Sequence, residues 1–161
     1  MNKMIFSIQR DGYKFKELDL EVSDFIDFFP EEIDYVTAHE FSQHNISLLP
    51  TWKLLKTGFS DIEGNENLTP DICTWIDATL LLSPQAKRIL GDILGEYGEF
   101  LPLMINEEQY EVFNCLTLLD SKDVTDELIF KTTDSNAIQL YCQDRLKDII
   151  TEFGFKGVAF I

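Results

Sequence analysis

The chain has 161 residues, of which 45% are hydrophobic and 12% aromatic, so it can bury a core and is not a disordered chain. Its 29 acidic residues outnumber its 13 basic ones, the net charge is −16, and both halves of the sequence share the excess. Such a field repels nucleic acid and anionic membranes and speeds encounter with cationic surfaces, although acidic surfaces also simply favour solubility.

The length of the chain bears on the number of domains, and the cysteines bear on the cellular compartment. No linker or repeat divides the sequence, so we expect a single domain over residues 1–161. We expect neither a secretion signal nor a membrane-spanning segment, because no apolar run of the sequence has the features of either. Cys73, Cys115 and Cys142 are odd in number and widely spaced, which predicts reduced, buried thiols in a cytoplasmic protein.

The N-terminal part of the chain gives weak and mixed signals. Residues 4–9 and 13–22 predict two strands, which a turn at residues 10–12 would join into a hairpin. Residues 23–29 predict a short helix that Pro30 ends. No element is assigned to the segment that follows.

The middle of the chain gives clearer signals. Residues 52–55 and 72–81 predict strands, and residues 60–70, which contain Gly and Asn, predict a loop. Ser83 is a favoured N-cap and is followed by a proline at the first helical position. Apolar residues then recur with the helical period, so residues 83–94 predict an amphipathic helix.

The C-terminal part alternates strands and a helix. Residues 100–105 and 110–119 predict strands, the first at an edge or bulge because of Pro102, the second apolar enough to be central. Residues 143–153 predict a second amphipathic helix, and residues 157–161 a closing strand. Because the elements follow no regular βαβ rhythm, we expect an α+β fold with a largely antiparallel or mixed sheet.

No catalytic, cofactor-binding or metal-binding motif is recognisable. His39 and His44 flank a sequence similar to HExxH, but their spacing of five residues places them on different faces of a helix. Cys115 lies within an apolar strand, where an inert core thiol is expected. Acids are so numerous that no pair can be singled out as catalytic. We therefore expect a protein that is not an enzyme and needs no cofactor or metal.

Segregation of charge is the most informative feature. Between Glu17 and Trp52 acids interleave with aromatic residues, and neither Lys nor Arg occurs. Carboxylates gathered in this way repel one another unless a cation lies opposite, which predicts a binding surface for a basic protein. The alternative is a solvated face whose aromatic residues turn into the core. The candidate partner-binding residues are Glu17, Asp19, Glu21, Asp24, Asp27, Glu31, Glu32, Asp34 and Glu40.

Residues 50–161 also carry motifs of a known family. The first motifs are the run from Pro70-Asp71-Ile72 through Trp75, the run from Leu81 to Ala86 with Leu90, and the run from Tyr97 to Leu103. They are followed by Tyr110-x-x-Phe113-Asn114 with Asp120, by Leu140-Tyr141, and by the ending Phe155-Lys156-Gly157-Val158-Ala159-Phe160. In combination these motifs resemble the bacterial polymorphic-toxin immunity proteins, a group long catalogued as a domain of unknown function with a "GE-LPL" signature.

The resemblance implies an immunity protein that binds and neutralises a cognate toxin in competition between bacteria. It implies structural roles for its motif residues: Gly98 would end a helix, Pro102 would shape a strand, and Asn114 would form a local hydrogen bond. It therefore supplies no toxin-binding residues, and the charge pattern alone nominates them.

Charge and resemblance together predict an acidic inhibitor of a basic toxin that acts in the cytoplasm. A nuclease is the natural candidate, because an enzyme that holds phosphates needs a cationic surface. Two other functions stay open. An adaptor or chaperone for a secreted effector would bind its partner without blocking the partner's activity. A small acid-based hydrolase would have a cleft containing a carboxyl group with a strongly raised pKa.

Overall fold

The computed structural model describes residues 4–62, 67–122 and 126–161. Within these ranges the fold is α+β, with antiparallel and mixed sheets, as the sequence predicts. The helices are α1 (Tyr35–His39), α2 (Pro84–Leu94) and α3 (Asp144–Glu152). The strands are β1 (Ile5–Arg10), β2 (Glu17–Leu18), β3 (Leu55–Thr57), β4 (Phe59–Ser60), β5 (Ile72–Thr74), β6 (Thr79–Leu82), β7 (Gly98–Ile105), β8 (Glu108–Cys115), β9 (Leu118–Leu119), β10 (Ile129–Thr132), β11 (Tyr141–Gln143) and β12 (Val158–Phe160).

The central sheet has the strand order β3-β7-β8-β6-β5. Its longest strands, β7 and β8, form a hairpin whose two turn residues, Asn106 and Glu107, both have positive φ, as a type I′ turn requires. β8 lies between β6 and β7, so the central strand predicted from residue 110 is confirmed as far as Cys115. The predicted strand ran on to residue 119, but Leu118 and Leu119 form β9, which pairs with β10 in another sheet. The single strand predicted over residues 72–81 is instead the antiparallel pair β5 and β6.

A second sheet joins the two ends of the chain in the order β12-β1-β11-β10-β9. β1 pairs with β11 and β12, so the hairpin predicted between residues 4–9 and 13–22 is wrong. Gly12 does turn the chain, with a φ of 57°, but the chain then leaves the sheet. Residues 13–22 supply only β2, which pairs with β4. The predicted loop over residues 60–70 contains residues 63–66, which lie outside the described ranges.

Both predicted amphipathic helices are confirmed. The Ser83 hydroxyl accepts a hydrogen bond from the Ala86 backbone N at 3.2 Å and caps α2, which buries Ala86, Leu90 and Leu94. α3 starts one residue later than predicted and turns out of the helix at Gly154, where φ is 71°. The short helix predicted over residues 23–29 is two separate 3₁₀ turns.

Two hydrophobic clusters cover opposite faces of the central sheet. Leu80 and Leu82 belong to one cluster and Leu81 to the other, because successive side chains of a strand point to opposite faces. The first cluster packs under α2, α3 and the second sheet. The second lies under the irregular chain that precedes β3, which includes the whole acidic stretch of the sequence.

Of two motif residues, Gly98 has a role that differs from the one the resemblance implies, whereas Pro102 lies in a strand as implied. Gly98 begins β7 and does not end a helix. Its φ is not positive, and a Cβ there would overlap the backbone oxygen of Asn114, so close packing requires the glycine. Pro102 lies in β7 just before the point where β3 begins to pair, at Leu103, so its missing N–H removes no bond to β3.

All three cysteines are buried and free, as predicted. Burial raises the pKa of Cys115 to about 11 and that of Cys73 to about 12. Both thiols therefore stay protonated near neutral pH and pack as small hydrophobic groups. Within the described ranges, no helix has the length and apolar character needed to cross a bilayer.

Candidate partner-binding surface

The nine predicted acids differ in how far neighbouring charges compensate them. Eight are exposed and Glu40 is half-buried. Glu17 lies 4.0 Å from Arg10, and Glu40 lies 3.5 Å from His44. The other seven form no ion pair with a described basic residue. They lie within residues 19–34, which we name the acidic segment.

Two carboxylates of the acidic segment fix its backbone. The Glu21 backbone N donates to Asp24 Oδ2 at 2.9 Å around the first 3₁₀ turn. The Thr37 backbone N donates to Asp34 Oδ1 at 2.7 Å at the start of α1, and this bonding lowers the pKa of Asp34. Asp24 and Asp34 thus cap turns as well as carrying charge.

Three other acids of the segment have no such local role. Asp27, Glu31 and Glu32 are exposed, and within the described ranges none of them has a hydrogen-bond or ion-pair partner. No described basic side chain therefore neutralises these three charges. These are the carboxylates most available to a partner.

Aromatic packing holds the acidic segment against the central sheet. Phe25 is 1% exposed, and the centroid of its ring lies 5.2 Å from that of Trp52, 5.7 Å from that of Trp75 and 5.9 Å from that of Phe29. Pairs at such separations add to the stabilisation from burial alone. A stretch with little regular secondary structure is therefore anchored by side chains.

The aromatic and aliphatic residues interleaved with the acids divide between core and surface. Phe25 and Phe29 are buried, and Ile26 and Phe28 are half-buried, so the core interpretation holds for these residues. Tyr35 alone among the five remains at the surface, with 63% of its area exposed.

A groove of about 340 Å³ opens within the acidic segment. Its lining combines apolar side chains, an exposed ring and two carboxylates: Ile26, Asp27, Phe29, Pro30, Glu31, Ile33 and Tyr35. The Tyr35 ring is supported by His39, whose ring centroid lies 4.2 Å away. The groove can accept a group that is both apolar along its length and positively charged. The sequence placed these residues in one segment but did not reveal that they line one groove.

A buried carboxylate that the sequence did not single out binds a neighbouring segment of the same chain. Glu99 on β7 is 8% exposed. Its Oε1 accepts from Ser47 Oγ at 2.6 Å and from the Leu49 backbone N at 3.3 Å. Its Oε2 accepts from the Leu48 backbone N at 2.7 Å and from Asn114 Nδ2 at 2.9 Å. Asn114 Nδ2 also donates to the Ile46 backbone oxygen at 3.1 Å, so Asn114 bonds to a distant part of the chain and not only locally as the resemblance implies.

The pattern of β7 contained a signal for Glu99. Residues 99, 101, 103 and 105 alternate with more exposed ones and are all buried. Glu99 is therefore in phase with Leu101, Leu103 and Ile105. An acid on the apolar face of a strand indicates a buried carboxylate with fixed donors.

A second buried charge holds the same stretch of chain. Lys131 on β10 has no exposed area, and its Nζ donates to the Ser42 backbone oxygen at 2.6 Å. Burial lowers the pKa of Lys131 to about 8, against the opposing influence of Cys115, Asp77 and Glu99. Because the amine is enclosed and already bonded to the backbone, it holds the chain and is not accessible to a substrate.

Asp77 is the carboxyl that bears on the hydrolase alternative. It lies between β5 and β6 with a φ of 50°, and burial raises its pKa, although a hydrogen bond to the side chain of Gln43 and the charge of Lys131 act in the opposite direction. Its charged neighbours are Lys131 and Glu40, and Asp77 does not line the groove of the acidic segment.

The two histidines are engaged separately. His39 Nδ1 lies 2.9 Å from the Tyr35 backbone oxygen, whereas His44 lies beside Glu40. Over residues 4–62, 67–122 and 126–161, no group of three or more His, Cys, Asp or Glu side chains is placed to hold a metal ion. The two histidines of the HExxH-like sequence therefore make separate local contacts.

Replacing Lys131 by Met should remove a pH dependence of stability between about pH 8 and pH 10.5. Within that window the unfolded chain binds the Lys131 proton and the folded chain does not, so this residue makes stability rise with pH. The contribution is about 3 kcal/mol at most. Urea denaturation gives the free energy of unfolding of wild type and variant at the two ends of the window. The contribution of Lys131 is the difference between the two pH-dependent changes, in which the other titrating groups cancel. Equal pH slopes in the two proteins would show that Lys131 stays protonated in the fold.

Comparisons with known proteins leave the family open. No protein-family model matches the chain, and no curated protein matches it at a significant level. Its function must therefore be inferred from the acidic segment and the chemistry of its groove.

Proposed function

We propose that this protein is an immunity protein, which binds a basic antibacterial toxin through the acidic segment and neutralises it in the cytoplasm. The observation that carries the binding role is the set of seven exposed carboxylates within residues 19–34 that have no described ion-pair partner. The role as toxin inhibitor rests on the sequence resemblance over residues 50–161.

Electrostatics support a cationic protein as the partner. Seven carboxylates gathered within residues 19–34 give this surface a negative potential, which salt screens over a Debye length of about 8 Å at physiological ionic strength. A cationic surface neutralises that potential. Attraction between opposite fields also raises association rates, up to about 10⁸–10⁹ M⁻¹s⁻¹ at low salt, and speed is valuable to an inhibitor that must act before its target does.

Rigidity supports binding at this surface in particular. Phe25 and Phe29 anchor the acidic segment from below, and Glu99 and Lys131 hold the chain that follows it. A surface held in this way loses little conformational freedom on binding, which leaves more of the interaction energy for affinity. A nuclease is the favoured partner because its phosphate-binding surface supplies the required positive charge.

An adaptor for a secreted effector would use the same surface, so the effect on the partner separates the two binding functions. The protein serves as bait in an extract of its native cell, and the bound protein is identified by mass spectrometry and expressed with and without it. We expect a basic partner in a 1:1 complex whose toxicity is abolished by co-expression. An acidic partner contradicts the proposal, and a basic partner that remains active in the complex favours the adaptor.

A further inference from the structure

We propose that the groove of the acidic segment receives an arginine side chain of the partner. This inference deepens the proposed function and rests on it. It follows from three features of the groove: apolar side chains in its lining, an exposed aromatic ring and two carboxylates without described partners.

The apolar part of the lining suits the aliphatic stem of a long basic side chain. Ile26, Phe29, Pro30 and Ile33 contribute to the lining. Phe29 is fixed because it stacks on the buried Phe25. At about 340 Å³ the groove lies at the lower end of the range for ligand pockets, which fits a side chain better than a cofactor. Arg and Lys both bury their stems along apolar surface while their charged ends stay in contact with water or anions.

The ring of Tyr35 favours a guanidinium group. Tyr35 lines the groove and is 63% exposed, and His39 packs against it from its own helix. A planar guanidinium stacks on an aromatic face and is more weakly hydrated than an ammonium group, so arginine gains more from this ring than lysine does.

The carboxylates of Asp27 and Glu31 complete the match. Both line the groove, and neither has a hydrogen-bond or ion-pair partner among the described residues. The five N–H donors of arginine can address two carboxylates at once, which a lysine, acting as a point charge, does less well.

Another groove of the protein lacks this charge complementarity. It measures about 160 Å³ and is lined by Arg10, Lys16 and Glu17 together with Cys73 and other residues. Two cations already lie there, and Arg10 is close to Glu17. Of these two grooves, the groove of the acidic segment is therefore the one that suits a basic side chain of the partner.

Titration with short capped peptides tests the proposal. The ¹⁵N-labelled protein is titrated with an oligoarginine and with an oligolysine of equal length, and backbone amide shifts are followed. We expect the largest shifts at residues 26–35 and tighter binding of oligoarginine. Tyr35→Ala should weaken oligoarginine binding about fivefold, and Tyr35→Phe should retain it because the ring remains.

Tyr13→Ala is the matched control, because Tyr13 is equally exposed at 65% but lies under Arg10, whose guanidinium carbon is 4.8 Å from its ring centroid. This variant should bind oligoarginine like wild type. Equal affinity for the two peptides, with no loss in Tyr35→Ala, overturns the arginine site and leaves the proposal of a basic partner standing. Absence of binding by either peptide also overturns the arginine site. An acidic protein in the capture experiment is the separate result that overturns the proposed function.

Discussion

Replacing Asp24, Asp27, Glu31 and Glu32 together by Lys should slow association with the partner by about 10- to 1000-fold at low salt. All four side chains are exposed, so the fold should survive with a modest loss of stability. Asp24 also caps a turn, and its loss costs about 1 kcal/mol. Stopped-flow mixing with the captured partner measures the rate, and circular dichroism verifies that the variant is folded.

A matched variant separates position from total charge. Asp92, Glu96, Asp148 and Glu152 are exposed on or next to α2 and α3, and their replacement by Lys changes the net charge by the same amount. We expect this control to associate much faster than the acidic-segment variant. Equal slowing of the two would mean that overall charge, and not residues 19–34, directs the encounter.

Glu99→Gln should lower the free energy of unfolding by about 2–4 kcal/mol, although it changes few atoms. Each carboxylate oxygen of Glu99 accepts from two donors. A glutamine amide supplies one oxygen only, so in either orientation its NH₂ group faces two donors. Buried donors are then left without acceptors, and the charge-assisted strength of the remaining bonds is lost.

Glu111→Gln on the neighbouring strand is the control for this substitution. Glu111 is half-buried, one of its oxygens accepts from Gln109 Nε2 at 2.9 Å, and the other is buried without a partner in the described part of the chain. Replacing this carboxylate by an amide should therefore cost little stability. Urea denaturation of both variants gives the comparison. An unfolding midpoint of Glu99→Gln equal to that of Glu111→Gln would show that the Glu99 hydrogen bonds add no net stability.

The elements that the sequence predicts best are those with local signals. α2 has a capping serine, a proline at its first position and an apolar stripe, and all three act within the helix itself. The turn between β7 and β8 is similarly local, since Asn106 tolerates positive φ. Such interactions are contained in a short window of sequence, so they can be inferred without the fold.

The pairing of β1 depends on contacts that no local window contains. Its partners, β11 and β12, lie at the other end of the chain. A turn at Gly12 next to a second apolar run indicates a hairpin, yet Leu18 and Leu20 pack instead in the cluster beneath the acidic segment. Burial of these residues on the opposite face of the central sheet outweighs the local preference.

The binding surface was predictable in its charge and not in its shape. A stretch of acids without a basic residue must lie largely at the surface, and it does. Which aromatic residues would be buried depended on Trp52 and Trp75, whose positions relative to Phe25 only the fold defines. For the same reason, the groove beside Tyr35 could not be predicted from the sequence.

The most direct test of an acidic surface that meets a basic protein is the salt dependence of the association rate with the captured partner. Raising the ionic strength from about 0.01 M to about 0.15 M shortens the Debye length from about 30 Å to about 8 Å. We predict that the wild-type rate falls steeply over this range and that the acidic-segment variant loses most of this dependence. A wild-type rate that is insensitive to salt, or that increases with it, would contradict electrostatic recognition by residues 19–34.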